Sequence, residues 1–357
     1  MFASSASTGM RTGWRQLRKQ FDPMEHNMRK RIASAALALF LLPAAATRAA
    51  ALDCADAKTP LDRALCADPS AKAADAAMTK AYEVLSARLK DSAKDQLLQS
   101  QRTWLKSRTY LCPDRGKELA TCLVTINFQR QRFLEGLPET GPGSGGALKP
   151  IFIEAAGRKG YYAIDVTAFK YAPPTSAGEK FFNAEVDKLL KQVPSRKNDD
   201  ASRWGMTYSF ILHMEMAYAS PKLISAHIFS YQFAGGAHGN SGKSNINIDA
   251  AKGKLLTFAD VFADGAKPKI DAECLQQILK AKAERSIDEK IAGEKLTQLK
   301  TAIDEGLSKL DSWSFSTSGA TVDYDPYALG AYVEGFYSCK FTPAFLRPLV
   351  KAGFVVP

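Results

Sequence analysis

The sequence predicts an α+β protein with two folded regions: a small all-α domain stapled by disulfides, then a larger α+β domain with an antiparallel sheet. Three observations predict this layout. Apolar residues recur at helical spacing up to about residue 136, they alternate as in strands after about residue 150, and the stretch between is rich in glycine and proline. The length of 357 residues fits two domains, because single domains commonly hold about 100–200 residues.

The first 51 residues are typical of a secretory signal peptide with an extended amino-terminal part. A basic triplet at 29–31 precedes an apolar run at 32–42, and small residues follow up to Ala51. This order of charge, apolar run and alanine-rich exit marks export. The run is shorter than the ~20 residues that cross a bilayer, so no stable membrane span is expected. Met28 is an alternative start to Met1, and the mature protein is expected in the periplasm or outside the cell.

The net charge of +11 resembles a nucleic-acid signal, but much of it lies in the signal segment. Residues 1–51 hold eight basic and two acidic residues, which leaves 40 basic and 35 acidic residues in the mature chain, a net charge of +5. Such a mild, dispersed excess favours no polyanion. Nucleic acid is therefore not an expected partner.

Six cysteines agree with an oxidising compartment, where thiols pair within domains. Four lie in the first region and two in the second, and no C-x2-C or H-x3-H spacing is present. Structural disulfides are therefore expected rather than a metal site. Cys274 is expected to pair with Cys339, whereas three connectivities stay open for the other four. The four are Cys54, Cys66, Cys112 and Cys122.

Residues 52–136 are predicted to form three or four helices. One apolar face runs along the segment from Ala74 to Leu89, and the spacing resumes from Leu97 after a polar break at 91–92. A last helix is predicted from about Glu118 to Leu134. So few helices bury only a modest core, which explains why this region would carry disulfides.

Residues 137–149 are predicted to form a flexible linker, because they are rich in glycine, proline and polar side chains. Residues 150–357 then form the α+β region. Strands are predicted at 162–167, 211–218, 223–233 and 245–249, helices at 179–190 and around 270–279, and a late hairpin from Trp313 to Tyr324. Mixed helices and antiparallel strands indicate the α+β class.

The first region resembles the LprI-like domain of the lysozyme-inhibitor type. The resemblance rests on the cysteine spacing, the Thr59–Asp62 step, Asp75, Tyr82, Arg130 and one cluster of side chains. That cluster is Gln101, Arg102, Trp104, Leu105 and Arg108. Trp104 is expected in the core and the arginines at carboxylates such as Asp75, with an interface role as the alternative.

The second region resembles the extracellular domain of RsiV-type anti-sigma factors, which also occurs beside peptidoglycan deacetylase domains. The matching pieces are Tyr231, the run 235–239, a set of residues between 247 and 262, and the segment 324–335. Both families include members that bind lysozyme. The resemblance therefore implies a lysozyme-like muramidase as partner.

The predicted partner-binding residues lie in two glycine- and tyrosine-rich segments. Glycines permit positive φ and close backbone approach, and tyrosines supply rigid contact area. The alternatives are a tight structural connection for the glycine run and core packing for the tyrosines, which is preferred for Tyr324. The predicted binding residues are Gly235, Gly236, Ala237, His238, Gly239, Tyr327 and Tyr332.

Three functions are weighed. The favoured one is an exported, non-enzymatic protein that occludes the cleft of a lysozyme-like muramidase. A peptidoglycan-binding module is the alternative, and a cell-wall hydrolase is the third, with Asp323 and Asp325 as its carboxylates. His213 and His227 are expected to be packed or surface residues. No catalytic residue, metal or cofactor is expected.

Overall fold

The computed structural model describes residues 54–112, 116–157, 162–194, 208–285 and 291–357. The predicted signal peptide lies outside the described residues. Within those ranges no helix is both long enough and apolar enough to span a membrane.

The first region is all-helical, as predicted. A 3-10 turn at Cys54–Asp56 leads into α1 (Pro60–Ala67), α2 (Pro69–Arg88), α3 (Asp91–Leu111) and α4 (Gly116–Glu135). Thr59 caps α1 in a capping box with Asp62, and Asp68 caps α2. Such caps satisfy backbone N–H groups that the helix itself leaves unpaired.

Two disulfides close this helical region. Cys54 pairs with Cys66 and Cys112 pairs with Cys122. The first ties the leading 3-10 turn to α1, and the second ties the end of α3 to α4. The open choice between three connectivities is thereby resolved in favour of neighbours along the chain.

An ion pair lies in the helical core. The Arg108 guanidinium donates to the Asp75 carboxylate at 2.7 Å, and both residues are buried. Trp104, half-buried, lies beneath two guanidinium groups, with its ring centroid 5.1 Å from Arg108 and 5.6 Å from Arg130. The expected arginine–carboxylate pair is present, whereas Arg102 is exposed.

The second region is built on a six-stranded sheet in the order β1–β2–β3–β4–β5–β6. All neighbours are antiparallel except β2 and β3, which are parallel and are connected through α5. The strands are β1 (Leu148–Ala156), β2 (Tyr162–Tyr171), β3 (Tyr208–Ala219), β4 (Leu223–Phe233), β5 (Asn240–Asp249) and β6 (Lys254–Leu255), and α5 is Ala177–Leu190.

One face of this sheet is apolar and packs under α5. Its core includes Val166, Phe182, Met214 and Ile224, all almost completely buried. Because side chains alternate along a strand, the opposite face carries the residues between them. That opposite face, called the polar face below, carries charged and polar side chains such as Asp165, His213 and Glu215 together with aromatic ones such as Phe229 and Tyr231.

The remaining residues form a second lobe around a three-stranded antiparallel sheet. After α6 (Phe258–Val261), α7 (Lys267–Glu284) and α8 (Glu294–Ser308), a 3-10 turn at Leu310–Ser312 leads to β7 (Trp313–Ser316), β8 (Gly319–Tyr324), β9 (Tyr337–Phe341) and α9 (Pro343–Leu346). The Cys274–Cys339 disulfide joins α7 to β9. Trp313 is buried and stacks with Phe341.

A buried amide connects the two sheets. Asn247 on β5 donates to the carbonyl oxygens of Leu310 and Trp313 at 2.8 and 2.7 Å. Ser225 on β4 donates to the Asn247 side chain and accepts from the Phe315 amide. Buried polar groups with all partners in place fix one relative position of two packed elements.

The central part of the segment 137–149, which is predicted to be a flexible linker, is hydrogen-bonded to β3. The Glu139 and Thr140 amides donate to the carbonyl oxygens of Met216 and Ala217, and the Gly143 amide donates to that of Ala219. β2 pairs with only the first half of β3, up to His213. The second half of β3 therefore has unpaired backbone groups, which the segment satisfies.

Candidate functional site

The loop between β4 and β5 contains the predicted glycine run. Gly235 and Gly236 have φ angles of 95° and 100°, a region in which L-residues with side chains are strained. Gly239 is buried with the Tyr231 ring directly behind it, so that an added Cβ would overlap the ring. Gly235 and Gly236 therefore allow the loop to turn, and Gly239 allows its end to pack closely on Tyr231 of β4.

His238, the exposed side chain of this loop, is held on three sides. Its Nδ1 lies 3.0 Å from the Gly239 carbonyl oxygen, and its Nε2 lies 3.1 Å from the Tyr327 hydroxyl. Because a carbonyl only accepts, Nδ1 is the donor to Gly239, and Nε2 lies within hydrogen-bond distance of the Tyr327 hydroxyl. The imidazole also stacks on Tyr332, with ring centroids 3.7 Å apart.

The connection between β8 and β9 supplies the other half of the surface. The Tyr332 hydroxyl donates to the Gly239 carbonyl oxygen at 2.9 Å, which joins this loop to the glycine run. Tyr327 has a positive φ of 75° and is 63% exposed, and Val333 is 91% exposed. We call His238, Tyr327, Tyr332 and Val333 the aromatic tip.

The second loop is clamped from behind by the end of α7. The Glu334 carboxylate accepts from Lys282 Nζ at 2.7 Å, from the Tyr337 hydroxyl at 2.6 Å and from the Ala331 amide at 2.7 Å. Arg285 donates to the Glu334 and Phe336 carbonyl oxygens. Burial acts to raise the pKa of Glu334, but the hydrogen bonds from Lys282 and Tyr337 lower it below its usual value. The loop is therefore fixed by a charged carboxylate.

The two carboxylates weighed for hydrolysis are both engaged by Lys243. Asp323 accepts from Lys243 Nζ at 3.0 Å and from Ser338 Oγ at 2.6 Å. Asp325 accepts from the Lys243 amide at 2.8 Å. Burial raises the pKa of Asp325. These contacts give the pair a structural role at the base of the aromatic tip.

Two of the late tyrosines are buried, as was preferred for Tyr324. The Tyr324 hydroxyl donates to the Ile303 carbonyl oxygen, and Tyr337 packs beneath Lys282 and Arg285. Only Tyr327 and Tyr332 thus reach the surface that the sequence analysis indicated.

A second cluster of titratable side chains, missed by sequence reasoning, lies where the helical region meets the polar face of the large sheet. Gln96 on α3 pairs with the backbone N–H and C=O of Glu154 on the edge strand β1. Arg130 on α4, 5% exposed, donates to Gln101 and Ser100. Burial lowers the pKa of Arg130 to about 10.

Three ionisable groups continue this cluster across the sheet. Glu154 lies opposite Asp165, whose carboxylate accepts from His213 Nε2 at 2.8 Å. Burial and then the charge of Asp165 raise the pKa of Glu154 well above its usual range. Burial opposes ionisation of Asp165, but the hydrogen bond from His213 holds its pKa below the usual value. Glu154 is thus the protonated partner at neutral pH.

Two further carboxyl groups lie beside this cluster. Gln129 on α4 donates to both Glu139 and Glu215. Burial and the charge of Glu215 raise the pKa of Glu139 to about 8. Glu139 therefore stays largely protonated at neutral pH.

No group of three or more His, Cys, Asp or Glu side chains in the described ranges is arranged to hold a metal ion.

Three family models match this chain. "Lysozyme inhibitor LprI" matches residues 54–135, "Deacetylase PdaC" matches residues 165–241, and "Protein of unknown function (DUF3298)" matches residues 259–342. The chain thus consists of an LprI-like amino-terminal domain followed by a carboxy-terminal region of the DUF3298 type.

One curated protein and two solved structures are similar over part of the chain. Peptidoglycan-N-acetylmuramic acid deacetylase PdaC of Bacillus subtilis is 22% identical over 195 residues, which are 54% of this chain and 40% of that protein. A DUF3298 family protein of Pseudomonas aeruginosa is 18% identical and covers 58% of this chain and 94% of its own, with a TM-score of 0.40. One from Bacteroides fragilis is 15% identical and covers 59% and 96%, with a TM-score of 0.42.

Proposed function

We propose that this chain is an exported, non-enzymatic protein that binds a lysozyme-like muramidase and occludes its cleft through the aromatic tip. The single observation that carries the proposal is the stacking of His238 on Tyr332 beside the exposed Tyr327. This arrangement is a rigid, solvent-facing aromatic surface, whereas most other large aromatic side chains in the described part of the chain are at least partly buried.

Rigidity is what a cleft-filling loop requires. Each side chain that is ordered only upon binding costs about 0.5–1.5 kcal/mol of affinity. His238 and Tyr332 are ordered beforehand by their stacking and by two hydrogen bonds to the Gly239 carbonyl oxygen. Val333 and the Tyr327 ring are then the exposed groups that enter the partner.

The comparisons support the class of partner. The helical domain matches a family described as a lysozyme inhibitor, and the sheet matches a family described as a deacetylase whose named relative acts on peptidoglycan. Lysozymes cleave the glycan of peptidoglycan between paired carboxylates. A loop seated between those carboxylates would exclude the substrate by competition.

Long-range charge contributes little to this binding. Without the predicted signal segment the chain carries a net charge of +5, and many lysozymes are themselves basic. Electrostatic steering mainly raises association rates between opposite charges. Shape and short-range contacts at the aromatic tip would therefore dominate the affinity.

The test is inhibition of several purified lysozymes by the full chain. Micromolar inhibition is expected. Tyr327→Ala and Val333→Asp should each raise the concentration for half-inhibition about tenfold or more, as interface anchors do. Val355→Asp is the matched control, because Val355 is an exposed valine, 55% accessible, outside both the aromatic tip and residues 54–135.

Two results would remove the proposal. One is the absence of any complex at micromolar concentrations with undiminished lysis. The other is inhibition that Tyr327→Ala and Val333→Asp leave intact.

Deacetylation of peptidoglycan is the second candidate, favoured by the match of residues 165–241. The match covers 40% of the length of the named relative. Most of the sequence of that deacetylase therefore has no counterpart in the match. Release of acetate from N-acetylated peptidoglycan by the purified chain, under conditions where inactive boiled protein releases none, would favour this candidate over simple binding.

A further inference from the structure

An apolar groove runs along the outer side of the helical domain, between α2 and α4. It has a volume of about 430 Å³, and its apolar lining is Ala77, Ala81, Val84 and Leu85 of α2 and Leu134 of α4. Val84 is 43% exposed, and Ala77 and Leu85 are half-buried. The described part of the chain therefore leaves this apolar surface in contact with water.

The groove faces away from the large sheet. Phe133 of α4 packs in the core of that sheet, whereas Gln131 and Glu135 line the groove. Successive residues of an α-helix are rotated by about 100°, so residues two positions from Phe133 point to the opposite side of α4. The groove is thus separate from the junction with the sheet, and no residue of the aromatic tip lines it.

The two walls of the groove carry opposite charges. Lys80 and Arg88 lie on the α2 wall and Glu135 lies on the α4 wall, and all three residues are exposed. Within the described residues, neither the Lys80 nor the Arg88 side chain makes a hydrogen bond or an ion pair. Glu135 accepts from Gln131 at 2.9 Å and lies 3.8 Å from the Arg132 guanidinium. A partner that carries the same charges in the reverse order would pair with both walls.

The opposite charges lie at the same height along the groove. α2 and α4 run side by side in the same direction, since the early residues of both helices share one core cluster and the later residues share another. Ala81 of α2 and Leu134 of α4 belong to the later cluster. Lys80 and Glu135 are the immediate neighbours of these two residues, so they lie at similar heights on the two walls.

A second copy of the chain supplies the reverse order by symmetry. A two-fold axis along the groove exchanges the two walls and leaves the heights unchanged. α2 of each copy then lies over α4 of the other, Glu135 of each copy comes beside Lys80 of the other, and Val84 enters the facing groove. An isologous interface requires a surface that is complementary to itself, and this groove meets that requirement.

We propose that the groove between α2 and α4 is a self-association surface that pairs two copies of this chain about a two-fold axis. The groove engages fewer residues than the roughly 20–30 on each side of a standard interface, so pairing is expected at micromolar concentrations. The pairing is independent of muramidase binding and leaves the aromatic tip of each copy outside the interface.

The test is sedimentation equilibrium of the full chain over the micromolar range, where the mass should rise from one chain towards two. Lys80→Glu and Glu135→Lys should each weaken pairing about tenfold, because each places like charges opposite each other at both symmetric contacts. An equal mixture of the two variants should pair nearly as tightly as the parent, since each contact of the mixed pair joins an acidic group to a basic one.

Val84→Asp tests the apolar part of the groove. A carboxylate in the facing apolar groove should weaken pairing about tenfold or more. Val355→Asp is the matched control, because it makes the same change at an exposed valine outside the helical domain, and it should pair as the parent does. Val84, Lys80 and Glu135 are exposed, so thermal unfolding of each diluted variant should match that of the diluted parent.

Three results would overturn the proposal: a chain that stays monomeric at hundreds of micromolar, a mixture that pairs no more tightly than its two components, or Val84→Asp pairing as the parent does. Loss of lysozyme inhibition by Val84→Asp in a monomeric chain would assign the groove to the muramidase and would also overturn it. Tyr327→Ala should pair as the parent does, and Val84→Asp should inhibit lysozyme as the parent does. Failure of this proposal is therefore distinguishable from failure of the proposed function.

Discussion

The aromatic tip and the junction between the helical domain and the sheet use similar side chains for opposite purposes. At the tip, His238 is exposed, stacks on Tyr332 and is hydrogen-bonded to the Gly239 carbonyl oxygen. At the junction, Arg130 and Glu154 are removed from water and their pKa values shift. Burial therefore makes the polar side chains of the junction fix the helical domain to the sheet. Exposure on a rigid loop leaves the polar side chains of the tip available to a partner.

This difference also separates what each region contributes. The junction joins the helical domain to the sheet, so its removal should lower the free energy of unfolding. The tip contributes few buried contacts, so its removal should lower the affinity for a partner and change stability little.

Arg130→Ala should destabilise the protein by about 3 kcal/mol or more, because it removes a buried cation that Gln101, Ser100 and three aromatic rings surround. Denaturant unfolding measures the change. Arg102→Ala, an exposed arginine on α3, is the control and should stay within about 0.5 kcal/mol of the parent. Equal effects from both variants would show that the buried contacts of Arg130 at the junction do not stabilise the fold.

Stability should fall as pH rises through the folded pKa of Glu139, which is about 8. The folded pKa is raised above the unfolded value, so the stabilising contribution is complete below the unfolded pKa and is lost as the carboxyl ionises in the fold. Unfolding in urea at pH 5.5, 7 and 8.5 should show a loss of at least about 1 kcal/mol, since one pKa unit corresponds to 1.36 kcal/mol.

Glu139→Gln is the control for that pH dependence. The amide keeps the size of the side chain and carries no charge at any of these pH values. A pH profile that Glu139→Gln leaves unchanged would assign the effect to another group. Lysozyme inhibition by the tip should be insensitive to Glu139→Gln.

Gly236→Ala should reduce inhibition several-fold while costing about 1 kcal/mol of stability. Gly236 has a φ of 100° and open space where a Cβ would lie, so the cost is backbone strain alone. Gly265→Ala is matched, with a φ of 80° and the same open space. Gly265→Ala should cost similar stability and no inhibition, and equal loss of inhibition in both would refute a specific role for the loop.

Tyr332→Phe should have the smallest effect. It removes the hydrogen bond to the Gly239 carbonyl oxygen but keeps the stacking on His238, and such a bond contributes about 1 kcal/mol. A two- to fivefold weaker inhibition is expected. Tyr332→Leu, which also removes the stacking, should weaken inhibition more, and the reverse order would contradict the geometry.

Much of the fold was predictable because its signals are local. Helical spacing in the first region and alternation in β3 and β4 reflect which side of each element is buried. β1 was missed: its Pro150 argues against a strand, and Ile151, Phe152 and Ile153 follow one another without alternation. β1 lies at the sheet edge, where proline is tolerated, and is recognised only through its pairing with β2.

The two loops of the aromatic tip could be predicted from the sequence, but the contact between them could not. Glycine and tyrosine content indicated both loops, but residues 89 positions apart meet only in the fold, as His238 and Tyr327 do. Glu154, Asp165 and His213 gave no local signal, because each occupies an ordinary strand position. The three side chains come together through the register of β1, β2 and β3, and the helical domain covers one end of the cluster.

Amide hydrogen exchange of the full chain with and without a purified chicken-type lysozyme tests the central claim most directly. New protection is expected in residues 235–239 and 327–335, whereas the helical domain and β3 should gain little protection. Protection confined to residues 54–135, with both loops of the aromatic tip exchanging as in the free protein, would contradict it.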